Sequence, residues 1–439
     1  MRYLFLFLAS CLLAGPAYSE PVSLDGAIQT ALLNNASVKE ARSLQQSARE
    51  GVKKNRADFL PKASATYSYT RLNDAPFQRA GGVQRTVGDA DNYHWDMTLV
   101  QPLFTGFGLS SRYGISKADA KISHLSLSQT VQDVIRDVKT AYYEALLAER
   151  IQKVAQDKVK TLAAQEKDAQ GFFDHGVIPK NDLLKSKIAL AAAIQEKEKA
   201  RADVLMARSR LAVIMGQPLD IKLSLTPVDT SITFTVPLKD LFSQALANRP
   251  ELLILNQGLS KIETSVKAAQ SAYYPDVSLV GRYEQNGDNP AATDNDFTND
   301  SNTSVSVQAS WTFFEWGKTR ADTARARHEV RAFREKIKAA EDRVKLEVRQ
   351  EVLNLGVQKK NIATAGKALE QARENFRITK NQYLQQVTTS TEVLDAQTYL
   401  AGAESDYYKA LYGYMIARTR LDRAVGRKIG DGHLYSSRR

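Results

Sequence analysis

The sequence predicts an internally duplicated chain of helices and strands, in which two long helical hairpins alternate with two pairs of short strands. Three observations predict it. First, the stretch Lys139–Gly216 returns as Arg349–Gly426: Phe173 falls on Tyr383, Val177 on Val387 and Leu184 on Leu394, each 210 residues on. Second, apolar residues within these stretches recur at threes, fours and sevens, as in Val131, Val134, Ile135, Val138, Ala141, Tyr142 and Ala145, and in Leu355, Ile362, Ala365, Leu369, Ala372 and Phe376. That is a single apolar stripe on a helix, close to a coiled-coil repeat. Third, after Pro61 and again after Pro275 the period changes from helical to two, which is the signature of strands.

The elements follow in order. Residues 1–19 read as a secretory signal: Met1-Arg2, an apolar run from Tyr3 to Leu13, and small residues around Ala17-Tyr18-Ser19. Within it, Leu8-Ala9-Ser10-Cys11 resembles a lipobox, so Cys11 is a candidate lipidation site. If the leader is cleaved after Ser19 instead, the mature chain has no cysteine, because Cys11 is the only one. Residues 20–216 form the first repeat, 217–237 a proline-punctuated connector, 238–426 the second repeat and 427–439 a basic tail. The first mature helix, 24–57, carries Leu24, Ala27, Ile28, Ala31 and Leu32 on one face, with Asn34-Asn35 as an interruption; 238–271 repeats it at an offset of 214.

Four strands come next. Ala63, Ala65, Tyr67 and Tyr69 alternate with Ser64, Thr66 and Ser68; Tyr93, Trp95, Met97 and Leu99 alternate with His94, Asp96 and Thr98. After Pro275, Val277, Leu279, Gly281 and Tyr283 alternate with Ser278 and Arg282, and Val305, Val307, Ala309, Trp311 and Phe313 alternate with Ser304 to Thr312. Each run has about the 9 to 11 residues that cross a bilayer as a tilted strand. Alternation alone fits a half-buried soluble sheet equally. On the membrane reading Tyr67, Trp95, Leu99, Leu279, Val307 and Trp311 face lipid, while Ser64, Thr66, Asp96, Arg282 and Gln308 face inward. Arg71–Asn92 and Glu284–Asn302, rich in Gly, Asn, Asp and Thr, read as long exposed loops. Four strands cannot close a channel, and open edges cannot face lipid, so the chain supplies part of a shared barrel or its sheet is soluble. Leu109 to about Gln170 then gives a helix of about 90 Å at 1.5 Å per residue.

Composition excludes more than it proves. A charge of +11 on 439 residues favours anionic neighbours but names none, and no nucleic-acid motif is present. The five histidines form no close ligand pair. There is no HExxH, no paired-carboxylate scaffold and no phosphate-binding glycine loop, so neither a metal, another cofactor nor an enzymatic activity is expected.

Several phrases together resemble the TolC family of outer-membrane efflux and secretion channels. They are Leu24-Asp-Gly-Ala27 with Ala31 and Asn34, Asp58-Phe-Leu-Pro61, Ala272-Tyr-Tyr-Pro275, Gln101-Pro-Leu-Phe-Thr-Gly-Phe-Gly108 and Val393-Leu-Asp-Ala-Gln397. The resemblance implies a TolC-like fold: a transmembrane β-barrel, four strands per chain and twelve in a homotrimer, joined to a long periplasmic α-helical coiled-coil barrel. It implies an outer-membrane location in a Gram-negative bacterium, extending into the periplasm. It also implies a periplasmic adaptor (membrane fusion) protein and an inner-membrane pump of RND or ABC type as partners. On this reading the chain is a passive exit duct for efflux or type I secretion, contacting outer-membrane lipid and no nucleic acid. A periplasmic coiled-coil scaffold, or an adaptor without a pore, is the alternative. The helix turns around Gly176-Val177-Ile178 and Gln386-Val387-Thr388 become adaptor-docking tips. Glu392 and Asp395, three apart and so on nearly one helix face, match the family's acidic rings near the narrow end. Tyr383 matches an aromatic residue that helps tie the closed tip, and Thr388 stands where the best-known pattern has an arginine. In the first repeat Asp182 and Lys185 hold the places of Glu392 and Asp395, which confines the acidic ring to the second.

Overall fold

The computed structural model describes residues 21–228 and 237–427. The expected leader with Cys11, most of the basic tail and part of the connector lie outside them. The described residues form two compact units, and each draws on both repeats: 21–40, 128–228, 237–249 and 343–427 in one, 41–127 and 250–342 in the other.

Most of each helical hairpin lies in the first unit, with the opening residues of each long first helix in the second. Helix α1 (Leu24–Asn34) starts where the Ser23 hydroxyl accepts from the Gly26 amide at 3.1 Å. It stops at Asn35, whose side-chain oxygen accepts from the amides of Ser37 and Val38 and so caps the next helix, α2 (Ala36–Ala57). The predicted interruption is therefore a break built by one asparagine. Its second-repeat counterpart lies between α5 (Leu238–Asn248) and α6 (Pro250–Gln270), where Pro250 opens the helix at the position that needs no amide donor.

The long helices are α3 (Gly108–Asp174) and α4 (Lys180–Ile214), then α7 (Lys318–Leu384) and α8 (Ser390–Ala424). All eight boundaries repeat at 210. The predicted stripe is the buried one: Val131, Val134, Ile135, Val138, Ala141, Tyr142 and Ala145 are all buried. On α7, Val348, Leu355, Ile362, Leu369 and Tyr383 are buried at steps of seven or multiples of it. Both hairpins end in a left-handed glycine, Gly216 (φ 67°) and Gly426 (φ 69°), each closing a helix whose last carbonyls are satisfied by the residues that follow. The connector packs on this unit: Val22 bridges Leu225, and the Tyr142 hydroxyl sits 2.8 and 2.7 Å from the carbonyls of Val22 and Thr226.

The second unit holds a four-stranded antiparallel sheet of order β1-β4-β5-β6, with β1 Lys62–Arg71, β4 Asp91–Thr105, β5 Asp276–Gly287 and β6 Ser301–Ser310. Both predicted hairpins are present, and β4 pairs with β5 to join the repeats in one sheet. Three expectations need correction. The segment 71–92 is no simple loop: it contains a hairpin of β2 (Phe77–Ala80) and β3 (Val83–Thr86), turned by Gly81 and Gly82, both with positive φ. The second loop is shorter than predicted, because β5 runs to Gly287 and β6 begins at Ser301. The fourth strand ends at Ser310 rather than Phe313, so Trp311 lies beyond it. The cause is pairing: β5 begins at Asp276, opposite Ser310, and offers nothing further along. Among the described residues no helix is long and apolar enough to cross a membrane.

Candidate functional site: the hairpin tips and the strand faces

The two tips are five-residue turns with the same backbone path. In the first, Gly176 N–H donates to the Phe173 carbonyl (2.9 Å) and Val177 N–H to that of Phe172 (2.8 Å); in the second, Gln386 N–H donates to Tyr383 (2.9 Å) and Val387 N–H to Gln382 (2.8 Å). This double bond pattern needs a left-handed residue after the helix. Gly176 supplies it at φ 74°, and Gln386 takes the same place at φ 62°. Val177 and Val387 project at the turns, 43% and 71% exposed; Ile178 and Thr388 are half-buried.

Behind the turns the hairpins touch each other. Ser186 and Ser390 meet through their hydroxyls at 3.0 Å, both side chains buried. The Lys185 ammonium donates to the Thr391 hydroxyl at 3.0 Å and lies 3.5 Å from the Asp182 carboxylate. The ring of Tyr383 is buried edge-on against Phe172, centroids 5.6 Å apart, and burial pushes its hydroxyl pKa up. Glu392 and Asp395 are exposed and have no ion-pair partner among the described residues. The tips thus differ in charge: the acid of the first is held by a lysine, and the pair of the second is open. Sequence reading missed Ser186, Ser390, Thr391 and Phe172, since nothing in their spacing marks residues that meet only when two hairpins pack.

In the sheet, cross-strand partners lie on one face. Tyr67 stands opposite Trp95, Leu99 opposite Gly281, and Leu279 opposite both Gln101 and Val307. Five of the six residues expected to face lipid therefore share a face, which Met97, Tyr283 and Val305 also occupy; Trp311 is outside the strand. The other face carries the rows Ser64–Thr98–Arg282–Ser304 and Thr66–Asp96–Glu284–Asn302, and the pair Ser278–Gln308. Both outer edges, of β1 and β6, are unpaired among the described residues.

A duplicated hairpin scaffold with an edge-open sheet is what one protein family is built from. The outer membrane efflux protein family matches residues 27–217 and 241–427. The chain belongs to that family, the TolC family. The starts of the two matches lie 214 apart and their ends 210 apart, the two offsets of the internal repeat. The chain is similar to the outer membrane efflux protein BepC of Brucella suis biovar 1, 23% identical over 97% of this chain and 91% of that one. It is similar to the alkaline protease secretion protein AprF of Pseudomonas aeruginosa, 26% identical over 91% and 83%. In fold it resembles the CmeC outer membrane channel of Campylobacter jejuni, at a TM-score of 0.81, 16% identity and coverage of 92% and 85%. As a family member the chain is an outer-membrane channel component of tripartite efflux or secretion systems, not an enzyme and not a poreless scaffold. TolC-like channels are homotrimers that work with a periplasmic adaptor and an inner-membrane pump.

Proposed function

We propose that this chain is a passive exit duct whose constriction lies at the hairpin tips, with Glu392 and Asp395 lining it as two acidic rings in the trimer. The observation that carries this is the difference between the tips: Asp182 is held beside Lys185, whereas Glu392 and Asp395 point to solvent. Three copies bring six uncompensated carboxylates to the narrow end, a ring that favours cations over anions. Val177 and Val387, the apolar residues left exposed at the turns, seat the adaptor. The apolar sheet face meets outer-membrane lipid.

Single-channel conductance in planar bilayers at low salt tests the ring. Glu392→Gln with Asp395→Asn weakens cation preference and block by multivalent cations from the periplasmic side; an unchanged reversal potential and unchanged block reject it. Val177→Asp with Val387→Asp still forms the trimer by light scattering in detergent, while crosslinking to the adaptor is lost. Retained crosslinking overturns the docking assignment.

A further inference from the structure

In the second unit, cations recur at helical spacing. On α2 they are Arg42, Arg49, Lys53 and Arg56, at steps of seven, four and three. On α7 they are Arg320, Arg327, Arg331, Arg334 and Lys338, at steps of seven, four, three and four. Such steps put each set on one face of its helix, and every member is exposed. Lys117 and Lys121 of α3 hold the places of Arg327 and Arg331 at the offset of 210. At about 1.5 Å per residue the α7 set runs roughly 27 Å along its helix.

Both sets point to one side of the helix layer. Side-chain contacts put the segments in the order α2-α3-α6-α7: Gln45 meets His124 at 2.8 Å, Lys261 meets Asp119 at 2.7 Å and Arg334 meets Glu263 at 2.8 Å. Half-buried Ala41, Gln45, Ala48 and Val52 turn α2 to α3, and buried Thr323, Ala326, Val330 and Ile337 turn α7 to α6. Each cation set stands about a quarter turn from these, at about 100° per residue. α2 runs towards the sheet with its neighbour on one hand; α7 runs away from it with its neighbour on the other. In right-handed helices the two reversals cancel, and the sets share a side. The strands fix which side that is. Leu72 N–H donates to the Ala90 carbonyl at 2.7 Å, so in the β1–β4 register the polar-face residues Thr66, Ser68 and Thr70 turn their amides and carbonyls to β4. For L-residues this places β4 to the left of β1 when the polar face is viewed with β1 running upward. With α2 entering β1 and α3 leaving β4, the cations lie on the side of the polar sheet face.

The opposite side of α7 is balanced. There Arg325 is held between Asp322 and Glu329, at 3.7 and 3.6 Å, and Lys318 lies 3.6 Å from Glu315. On the polar-face side the nearby carboxylates are already taken: Glu263 by Arg334, and Glu335, at the edge, by Lys338 at 2.8 Å. Arg49, Arg56, Arg320 and Arg327 have no ion-pair partner among the described residues. Resting on the channel reading with its apolar sheet face to lipid, we propose that this side of α2, α3 and α7 lines the duct below the sheet and carries an extended acidic polypeptide as cargo. A guanidinium stays charged at any working pH and takes a carboxylate through two hydrogen bonds, and a wall of one sign concentrates counter-charged solutes. Steps of three and four residues set the α7 cations about 5 Å apart along the axis. An extended peptide repeats its side chains on one face about every 6.6 Å, so an acidic chain engages the row where a small anion engages one or two of its members.

Single-channel recording in planar bilayers tests this, with poly-L-glutamate added on the extracellular side. The polymer blocks the wild type. Arg320→Gln with Arg327→Gln and Arg331→Gln raises the blocking concentration about tenfold, whereas Lys318→Gln with Arg325→Gln leaves it unchanged. Free glutamate at the same residue concentration does not block. Single cysteines read the local charge a second way. Arg327→Cys reacts faster with an anionic than with a cationic methanethiosulfonate, and the reaction changes the conductance. Arg325→Cys leaves the conductance as it was, and the parent protein controls for Cys11. Conducting channels whose block ignores the triple substitution, or whose conductance responds at Arg325→Cys and not at Arg327→Cys, overturn the basic row and leave the channel reading standing. Equal block by free glutamate, or block by a single-stranded oligonucleotide at a lower concentration than poly-glutamate, overturns the cargo. A chain that forms no channel overturns both readings.

Discussion

The two repeats place α3 and α7, and α4 and α8, at boundaries 210 residues apart, yet they fill equivalent places with different chemistry. The first tip turns on Gly176, the second on Gln386. The first offers a lysine-held acid, the second an open acidic pair. Tyr142 ties α3 to the carbonyls of Val22 and Thr226, whereas its counterpart on α7 is Val352, which has no hydroxyl to do so. Backbone path and side-chain role are thus set separately. Helix ends and an apolar stripe fix the path, and many residues satisfy them; roles fall on single residues free to diverge once the path is secure.

The sharpest way to break this comparison is at the glycines that end the hairpins. A Cβ on Gly216 would lie 2.6 Å from the Asn34 carbonyl oxygen, and one on Gly426 2.9 Å from the Arg249 amide nitrogen. Both residues also have positive φ. Gly216→Ala and Gly426→Ala each lower stability by about 3 kcal/mol, from left-handed strain plus overpacking. Thermal unfolding followed by circular dichroism measures this. Loss at only one of the two sites would show that the repeats do not pack alike at these ends.

Tyr142 sharpens the difference on α3. Removing its hydroxyl in Tyr142→Phe takes the donor from the part-buried Thr226 carbonyl, while the Val22 carbonyl keeps the Thr226 amide at 3.2 Å, and costs about 1 kcal/mol at neutral pH. Burial pushes the phenol up to about 12 from its ordinary 10.0. The folded state therefore holds this proton more tightly than the unfolded state. The stabilisation is complete below about pH 10 and is lost as pH rises toward 12. Denaturant titrations across that window show a downward slope that Tyr142→Phe reduces; an equal slope in both proteins removes the assignment.

The smallest effects are at the tips. Gly176 has open space around it, so Gly176→Ala carries only the left-handed strain and costs about 1 kcal/mol. Gln386→Gly relieves that strain and gains up to about 1 kcal/mol. Opposite signs in the melting temperatures confirm that the turns share one geometry; equal signs refute it.

The order of residues alone specifies the duplication, the buried stripes, the breaks at Asn35 and the tips, and the sidedness of the strands. Each of these is a periodicity or a punctuation, and both are local. It also carried the residues that resemble the channel family. Packing settles which polar residues meet. Ser186 and Ser390 are 204 apart, on positions that do not correspond in the repeats, and only the packing of α4 on α8 joins them. It also decided where strands stop. Alternation ran through Phe313, but a strand is made by its hydrogen-bonded neighbour as much as by its own residues. β4 reaches Thr105 because β5 lies beside it; β6 ends at Ser310 because, among the described residues, no strand pairs with Trp311.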